Sequence, residues 1–188
     1  SIPHTILEIG NKRHVIVRFP NTHYDPRFEK KLLIAHYDRA PQTQGANDNS
    51  AACFQLMHFA RDLLSFKPFQ GQSFSHNIQI IFTDGEEAAG TAGIQGQGSY
   101  ALGTGLKKIG TVHENLFVFD VTGCGDTLVV STTGLTNAAK GSVGDRVLKI
   151  HNEAIEIARK ISPENWIRLP TPFSDNAGFL AAGIPAQV

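Results

Sequence analysis

A histidine and two aspartates lie close together in the stretch AHYDRAPQTQGANDNSAA, which runs from residue 35 to residue 52. His36 and Asp38 come directly after the apolar run KLLIA, and Asp48 comes just before an apolar helical pattern. A solvated loop explains the glycine, proline and glutamine residues of this stretch. It does not explain a histidine and an aspartate at strand spacing, whose side chains point the same way. This arrangement indicates the beginning of a metal site.

Further carboxylates follow two apolar runs later in the chain. Asp84-Gly85-Glu86-Glu87 comes after NIQIIFT, and Asp120 comes at the end of NLFVF. These residues are far apart in sequence, but a parallel sheet brings the carboxyl ends of its strands to one edge, where sites form. We therefore expect these carboxylates to meet the histidine and aspartates of the first stretch.

The residue types in this set suit zinc chemistry. Zinc binds imidazole nitrogen and carboxylate oxygen, and a catalytic site keeps one position open for water. Of His36 and Asp38, one can bind the metal while the other supports it through a hydrogen bond to the imidazole. Glu86 and Glu87 point in roughly opposite directions if extended, so one can bind metal and the other can act as a general base. Asp48, in a turn at a helix start, suits a carboxylate that bridges two metal ions.

Each of these residues taken alone has a structural explanation. A histidine after a strand is usually structural, Asp48 alone would be a turn or cap residue, and the two glutamates would lie in a solvated turn. Asp120 is harder to explain in this way, because a carboxylate that ends an apolar strand is costly to bury unpaired. The metal-site interpretation therefore depends on the whole set.

Hydrophobic patterning predicts the elements that position these residues. Helices are predicted over 50–66, with Ser50 as N-cap, over 98–108 and over 147–161. Strands are predicted over 14–19, 31–35, 77–83, 115–121 and 126–131, with the start of a last strand at 184–188. Because strands alternate with helices, we predict an α/β protein in three layers, with a mostly parallel or mixed sheet and helices on both faces.

The composition is that of an ordinary globular protein, with 41% hydrophobic and 18% charged residues among 188. The 17 basic residues balance the 17 acidic residues, which argues against nucleic acid as the main partner. No apolar run approaches the roughly 20 residues of a transmembrane helix. The two cysteines are too few for a disulfide scaffold or a thiolate zinc site.

Several short segments, in their order along the chain, resemble the zinc aminopeptidase family. This family includes bacterial leucyl aminopeptidases, glutamate carboxypeptidase and glutaminyl cyclases. The resemblance runs from about Leu32 to the C-terminus. Its segments are HYD at 36–38, GANDNSAA at 45–52, FTDGEEAAG at 82–90, GSYALG at 98–103, FD at 119–120 and FSDNAGFLAAGIPAQV at 173–188. The order and context of the segments are specific to the family, although no single segment is.

The resemblance implies a set of metal ligands. His36 and Asp120 would bind the first zinc ion, Asp48 would bridge the two ions, and Glu87 would bind the second. The family has a further ligand of the second ion, a histidine that lies on a loop after the strand begun by IPAQV. The sequence ends at Val188 before that position. We therefore expect two zinc ions in a complete site and one in this chain.

The resemblance also implies the catalytic residues and the reaction. Glu86 would be the general base, which takes a proton from the attacking water and passes it to the leaving amine, and Asp38 would orient His36. A cis peptide bond would join Asp48 to Asn49. The reaction would be hydrolysis of a peptide bond, usually next to a free N-terminus.

These observations leave three functions to distinguish. We predict a zinc-dependent aminopeptidase that acts on a peptide or a small amino-acyl compound. The alternatives are a glutaminyl-peptide cyclotransferase with one zinc ion and a non-catalytic relative on the same fold. We expect residues 1–188 to form a single catalytic-type domain, truncated at the C-terminus and also at the N-terminus. No signal peptide is visible, but the resemblance favours an extracytoplasmic location.

Overall fold

The structure, a computed structural model, describes residues 1–20, 22, 24–67, 75–110, 115–135 and 142–188. The strands within these residues are β1 (His4–Ile9), β2 (Lys12–Val17), β3 (Lys31–His36), β4 (Ile78–Thr83), β5 (Asn115–Val118), β6 (Leu128–Ser131) and β7 (Trp166–Leu169). The helices are α1 (Ala51–Ser65), α2 (Ala89–Ala92), α3 (Gly98–Lys108), α4 (Ser142–Ile161) and α5 (Asp175–Ala181). A π-helical turn (Ala46–Ser50) precedes α1, and a 3-10 turn (Ile94–Gly96) precedes α3.

The main sheet is mixed and has the strand order β1-β2-β4-β3-β5. Strand β3 pairs in parallel with β4 on one side and with β5 on the other. The hairpin of β1 and β2 is added to the β4 side in antiparallel orientation. The α/β class is therefore confirmed. The carboxyl ends of the three parallel strands lie at one edge of the sheet.

The last residues of the chain link this sheet to a second, parallel pair formed by β6 and β7. Val118 donates a backbone hydrogen bond to the Gln187 carbonyl, and Ser131 donates one to the Val188 carbonyl. The segment predicted to begin a strand at 184–188 therefore lies between β5 and β6. Within the described residues it forms an isolated bridge between Phe117 and Gln187 rather than a full strand.

Strand β3 is buried on both faces, which explains why the run from Leu32 to Ala35 is continuously apolar. Leu32 and Ile34 are fully buried on the face that contacts Leu102 of α3 and Phe179 of α5. Ala35 lies on the opposite face, in a cluster with residues of α1. Helices thus cover both faces of the sheet. No helix in the described part of the chain has the length and apolar character needed to cross a membrane.

Apart from the strand at 184–188, the predicted elements are present with shifted ends, and four observed strands and helices of the described residues were not predicted. The strand predicted over 115–121 ends at Val118, and the helix predicted to start at Val147 starts at Ser142. The unpredicted elements are β1, α2, β7 and α5. The residues of β1 are mostly exposed at the sheet edge, so they lack an apolar alternation. The other three have seven residues or fewer, too short to show a period.

Candidate metal centre

His36 is the last residue of β3, and its buried ring faces a group of carboxylates. Its Nδ1 atom lies 3.1 Å from the backbone oxygen of Asp38. A carbonyl oxygen only accepts hydrogen bonds, so Nδ1 is the nitrogen that donates. The other nitrogen, Nε2, lies 3.2 Å from Oδ1 of Asp48 and 3.4 Å from Oδ1 of Asp120. In the neutral imidazole, Nε2 therefore has its lone pair directed at the two aspartates.

Asp48 is positioned by the irregular turn that precedes α1. The turn follows Gly45, which has a left-handed φ of 65°, and is closed by a hydrogen bond from the Ser50 amide to the Gly45 carbonyl. The peptide bond between Asp48 and Asn49 is cis. The buried Asn49 side chain donates a 2.8 Å hydrogen bond to the Phe119 carbonyl. This contact ties the turn that carries Asp48 to the end of the β5 strand.

Asp120 lies on the loop after β5, and this loop is held by the same segment that precedes and begins α1. The side chain of Gln55 donates to the Thr122 carbonyl at 3.0 Å and accepts from the Thr122 hydroxyl at 2.7 Å. Asn47 accepts a 2.8 Å hydrogen bond from the Gly123 amide. These contacts fix the loop relative to the turn, so the Asp120 carboxylate is held close to His36.

The His36, Asp48 and Asp120 side chains fit a zinc ion. One donor atom from each residue lies within 4.8 Å of the others. Atoms that bind one tetrahedral zinc ion at 2.0–2.1 Å lie about 3.3 Å apart, which matches the two distances from Nε2 of His36. Within the described part of the chain, that nitrogen and Oδ1 of Asp120 are buried without a hydrogen-bond partner. A cation between them would satisfy both atoms.

Asp38 joins the imidazole to the loop that carries the two glutamates. Its Oδ1 accepts a 3.2 Å hydrogen bond from the Glu86 amide, and its Oδ2 accepts a 3.1 Å bond from the Glu87 amide. Its Oδ1 also lies 3.5 Å from Nδ1 of His36. Burial raises the pKa of Asp38, but the hydrogen bonds from His36 and the two amides outweigh burial and lower the pKa overall. Asp38 is therefore held as an anion.

Glu86 and Glu87 face the same imidazole from the β4 side. A carboxylate oxygen of each lies within 4.8 Å of a ring nitrogen of His36 and of the other glutamate's oxygen. Burial, followed by the charges of other carboxylates, raises the pKa of Glu86 to about 8, although His36 opposes this shift. Burial and the charge of Asp48 also raise the pKa of Glu87. The glutamates are thus in an environment that already carries excess negative charge.

The histidine responds to the same charges in the opposite sense. Burial lowers the pKa of His36, but the nearby carboxylates of Asp120, Asp38 and Asp175 raise it to about 12 overall. Burial and the charge of Asp120 raise the pKa of Asp48. These shifts have two causes, the burial of the groups and the concentration of carboxylates, and the second favours any added positive charge.

The structure adds two residues that the sequence interpretation did not select, Asp175 and Gln97. Asp175, in the first turn of α5, is completely buried and accepts a hydrogen bond from the Thr83 hydroxyl at the end of β4. Burial raises its pKa to about 6, although the hydrogen bond from Thr83 opposes this shift. The signal available in the sequence was an aspartate directly before the apolar run NAGFLAAG, since such a carboxylate is costly to bury. Gln97 contacts Glu86 and left no comparable signal.

A model of peptidase family M28 matches residues 14–187 of the chain. The fold is similar to that of the LapA aminopeptidase of Legionella pneumophila, with a TM-score of 0.66 and 17% identity over 98% of this chain and 46% of LapA. It is similar to a glutaminyl cyclase of an Acidobacteriales bacterium, with a TM-score of 0.65 and 18% identity over 99% of this chain and 62% of the cyclase.

The fold is also similar to that of BSAP, a zinc aminopeptidase from Bacillus subtilis. The TM-score is 0.60, with 23% identity over 93% of this chain and 39% of BSAP. This chain thus spans less than two thirds of the length of each of the three proteins. No curated protein sequence matches it. At these identities the similarity to the solved structures is one of fold.

We predict that Asp38→Asn weakens zinc binding by about 10- to 100-fold. The amide nitrogen of asparagine cannot accept a hydrogen bond, so one of the two backbone amides of the glutamate loop loses its acceptor. Competition with a chromogenic chelator measures the affinity. Asp62→Asn on the exposed side of α1 is the matched control and should bind zinc as the wild type does. An unchanged affinity in Asp38→Asn would show that this carboxylate does not support the site.

We predict that Asp175→Asn makes the metal-free protein more stable at neutral pH. The pKa of Asp175 is about 6 in the folded protein and 3.8 ordinarily, so the folded state holds this proton more tightly than the unfolded chain does. Wild-type stability therefore falls as the pH rises from about 4 to about 6. The variant should exceed the wild type by on the order of 2–3 kcal/mol above this window.

Urea unfolding of both metal-free proteins between pH 4 and pH 7 measures this difference. The gain in stability should be small at the acid end of the range and should grow toward neutrality. A difference that stays constant across the range would contradict the assignment of the proton to Asp175, because it would reflect a change in packing alone.

Proposed function

The chain belongs to peptidase family M28, and we propose that it is a zinc-dependent hydrolase of peptide bonds, an aminopeptidase with two zinc ions in its complete site. The observation that carries this proposal is the convergence of His36, Asp48 and Asp120 at the spacing of zinc ligands. The family match and the similarity in fold to zinc aminopeptidases support it. The substrate would be a peptide or a small amino-acyl compound.

We assign the metal ligands by their positions around His36. His36 and Asp120 would hold the first zinc ion in the more buried part of the site, where the Asp120 side chain is 17% exposed. Asp48 would bridge to the second ion, because its carboxylate lies beside the imidazole and is near enough to Glu87 to raise the pKa of that glutamate. Glu87 would hold the second ion. Asp38 orients the imidazole of His36 and fixes the backbone of the glutamate loop.

In the bound state, zinc would polarise the scissile carbonyl group and lower the pKa of a water molecule. The protein's own contribution to proton transfer is Glu86. Its carboxylate takes the proton of the attacking water and passes it to the leaving amine. A general acid–base group works best with a pKa near the working pH, and the burial of Glu86 already shifts its pKa toward that range.

Cyclisation of an N-terminal glutamine is the second candidate function. The similarity in fold to a glutaminyl cyclase supports this candidate. In this reaction the α-amine of the substrate attacks its own side-chain amide and ammonia leaves. Glu86 would carry the proton between the two nitrogens, and one zinc ion would be enough.

Product analysis separates the candidates. We expect the zinc-loaded protein to shorten a set of peptides by one N-terminal residue and to contain two zinc ions per chain when its site is complete. A glutaminyl peptide that instead loses ammonia, with one zinc ion per chain, would identify a cyclotransferase. Mass spectrometry of the peptides and elemental analysis of the protein give both readings. Bound zinc without any change in the peptides would identify a non-catalytic relative.

Two substitutions should separate catalysis from metal binding. We predict that Glu86→Ala lowers kcat by about 10²- to 10⁴-fold and leaves the zinc content unchanged, because it removes proton transfer only. Asp48→Ala should lose zinc, because it removes a ligand. Glu164→Ala, at an exposed position, is the control for both. Turnover retained in Glu86→Ala would contradict the general-base assignment, and zinc retained in Asp48→Ala would contradict the bridging assignment.

A further inference from the structure

Gln97 is a buried polar residue that contacts the proposed general base directly. It is the residue before α3, and only 2% of it is exposed. Its Nε2 atom donates a 3.0 Å hydrogen bond to Oε1 of Glu86. The same nitrogen lies 3.3 Å from the backbone oxygen of Glu86. Both hydrogens of one amide group are therefore directed at a single residue.

The main chain places Gln97 here through an unusually close approach. The Gly98 amide donates a 3.1 Å hydrogen bond to the Gly85 carbonyl in the glutamate loop. A Cβ atom at Gly98 would lie 1.8 Å from the Asp84 carbonyl oxygen, so only glycine fits at this position. The start of α3 is thus pressed against the loop between β4 and the two glutamates. The side chain just before this contact lies beside Glu86 as a result.

The contacts of Gln97 define the orientation of its amide. The backbone oxygen of Glu86 only accepts hydrogen bonds, and so does its carboxylate when ionised, so the amide nitrogen of Gln97 faces these atoms and the amide oxygen faces away. Within the described residues, this oxygen is buried and has no hydrogen-bond partner. Gln97 also makes no side-chain cap for α3. A buried polar atom without a partner lowers stability. Stability and helix capping therefore do not explain a glutamine here, whereas its contact with Glu86 does.

We propose that Gln97 is a positioning residue for Glu86. It occupies Oε1 and so fixes the carboxylate, which leaves Oε2 as the oxygen that exchanges a proton with water and with the leaving group. A glutamate side chain has several rotatable bonds, and holding it in one orientation before the reaction lowers the entropic cost of the proton transfer. This inference rests on the proposed function, because it assumes that Glu86 moves a proton.

Gln97→Met tests the proposal, since methionine is similar in size and donates no hydrogen bond. In the zinc-loaded protein we expect kcat to fall about 10- to 100-fold, as for a misplaced catalytic group. KM and zinc content should stay as in the wild type, because Gln97 is buried behind Glu86 and is not one of the assigned metal ligands. Gln95→Met, at an exposed position two residues earlier, is the matched control and should behave as the wild type. A wild-type kcat in Gln97→Met would overturn the proposal, and so would a loss of zinc that accounts for the fall in kcat.

A second measurement tests the position of Glu86 without measuring activity. Crystal structures of the zinc-loaded wild type and Gln97→Met should show one position of the Glu86 carboxylate in the wild type and several in the variant. A carboxylate that keeps its position in the variant would overturn the proposal. If the wild type acts on no peptide, the proposed function fails, but this comparison still decides the role of Gln97. Gln97→Glu keeps the shape and replaces the methionine variant if that one does not fold.

Discussion

The feature on which the rest of the site depends is the crowding of carboxylates around one buried imidazole. Asp48 and Asp120 lie beside Nε2 of His36, while Asp38 lies beside Nδ1. Glu86 and Glu87 approach the same ring. Like charges at such distances repel, and burial strengthens the repulsion because little water screens it. A chain that folds into this arrangement gains most when a cation enters, so the local architecture is best understood as a means of holding the carboxylates together until one does.

The carboxylates are held together by hydrogen bonds between loops as well as by the sheet. The parallel strands bring three chain segments to one edge, but their carboxyl ends are followed by irregular backbone. Asp38 binds the glutamate loop through two amides, and Asn49 binds the end of β5. Gln55 pairs with Thr122 on the loop that carries Asp120. Each segment that carries an anionic group is thus hydrogen-bonded to a neighbouring one, and the repulsion cannot separate them without breaking these bonds.

The sequence predicts the part of this arrangement that follows from strand topology. His36 and Asp120 come directly after apolar runs and the two glutamates follow another by a few residues, so a parallel sheet was enough to expect them at one edge. The exposed edge strand β1 and the short helix α5 lack a usable period, and the buried Asp175 was missed with α5. The contact between Gln97 and Glu86 depends on how closely Gly98 approaches the Asp84 carbonyl. Such an approach is a property of tertiary packing, which a pattern of residue types does not encode.

The side chains of the cluster differ in exposure, so the site is open to solvent on one side. The Asp48 side chain is 53% exposed, whereas those of Asp38 and Asp120 are 20% and 17% exposed. Under the proposed function, a substrate would approach from the Asp48 side. The second ion would then lie on that open side and the first ion deeper, against His36. The buried Gln97 donates a hydrogen bond to Oε1 of Glu86. Its other oxygen, Oε2, is then free to exchange a proton with water and substrate. The buried side of the Glu86 carboxylate is thus fixed by the protein, and the opposite side faces the reactants.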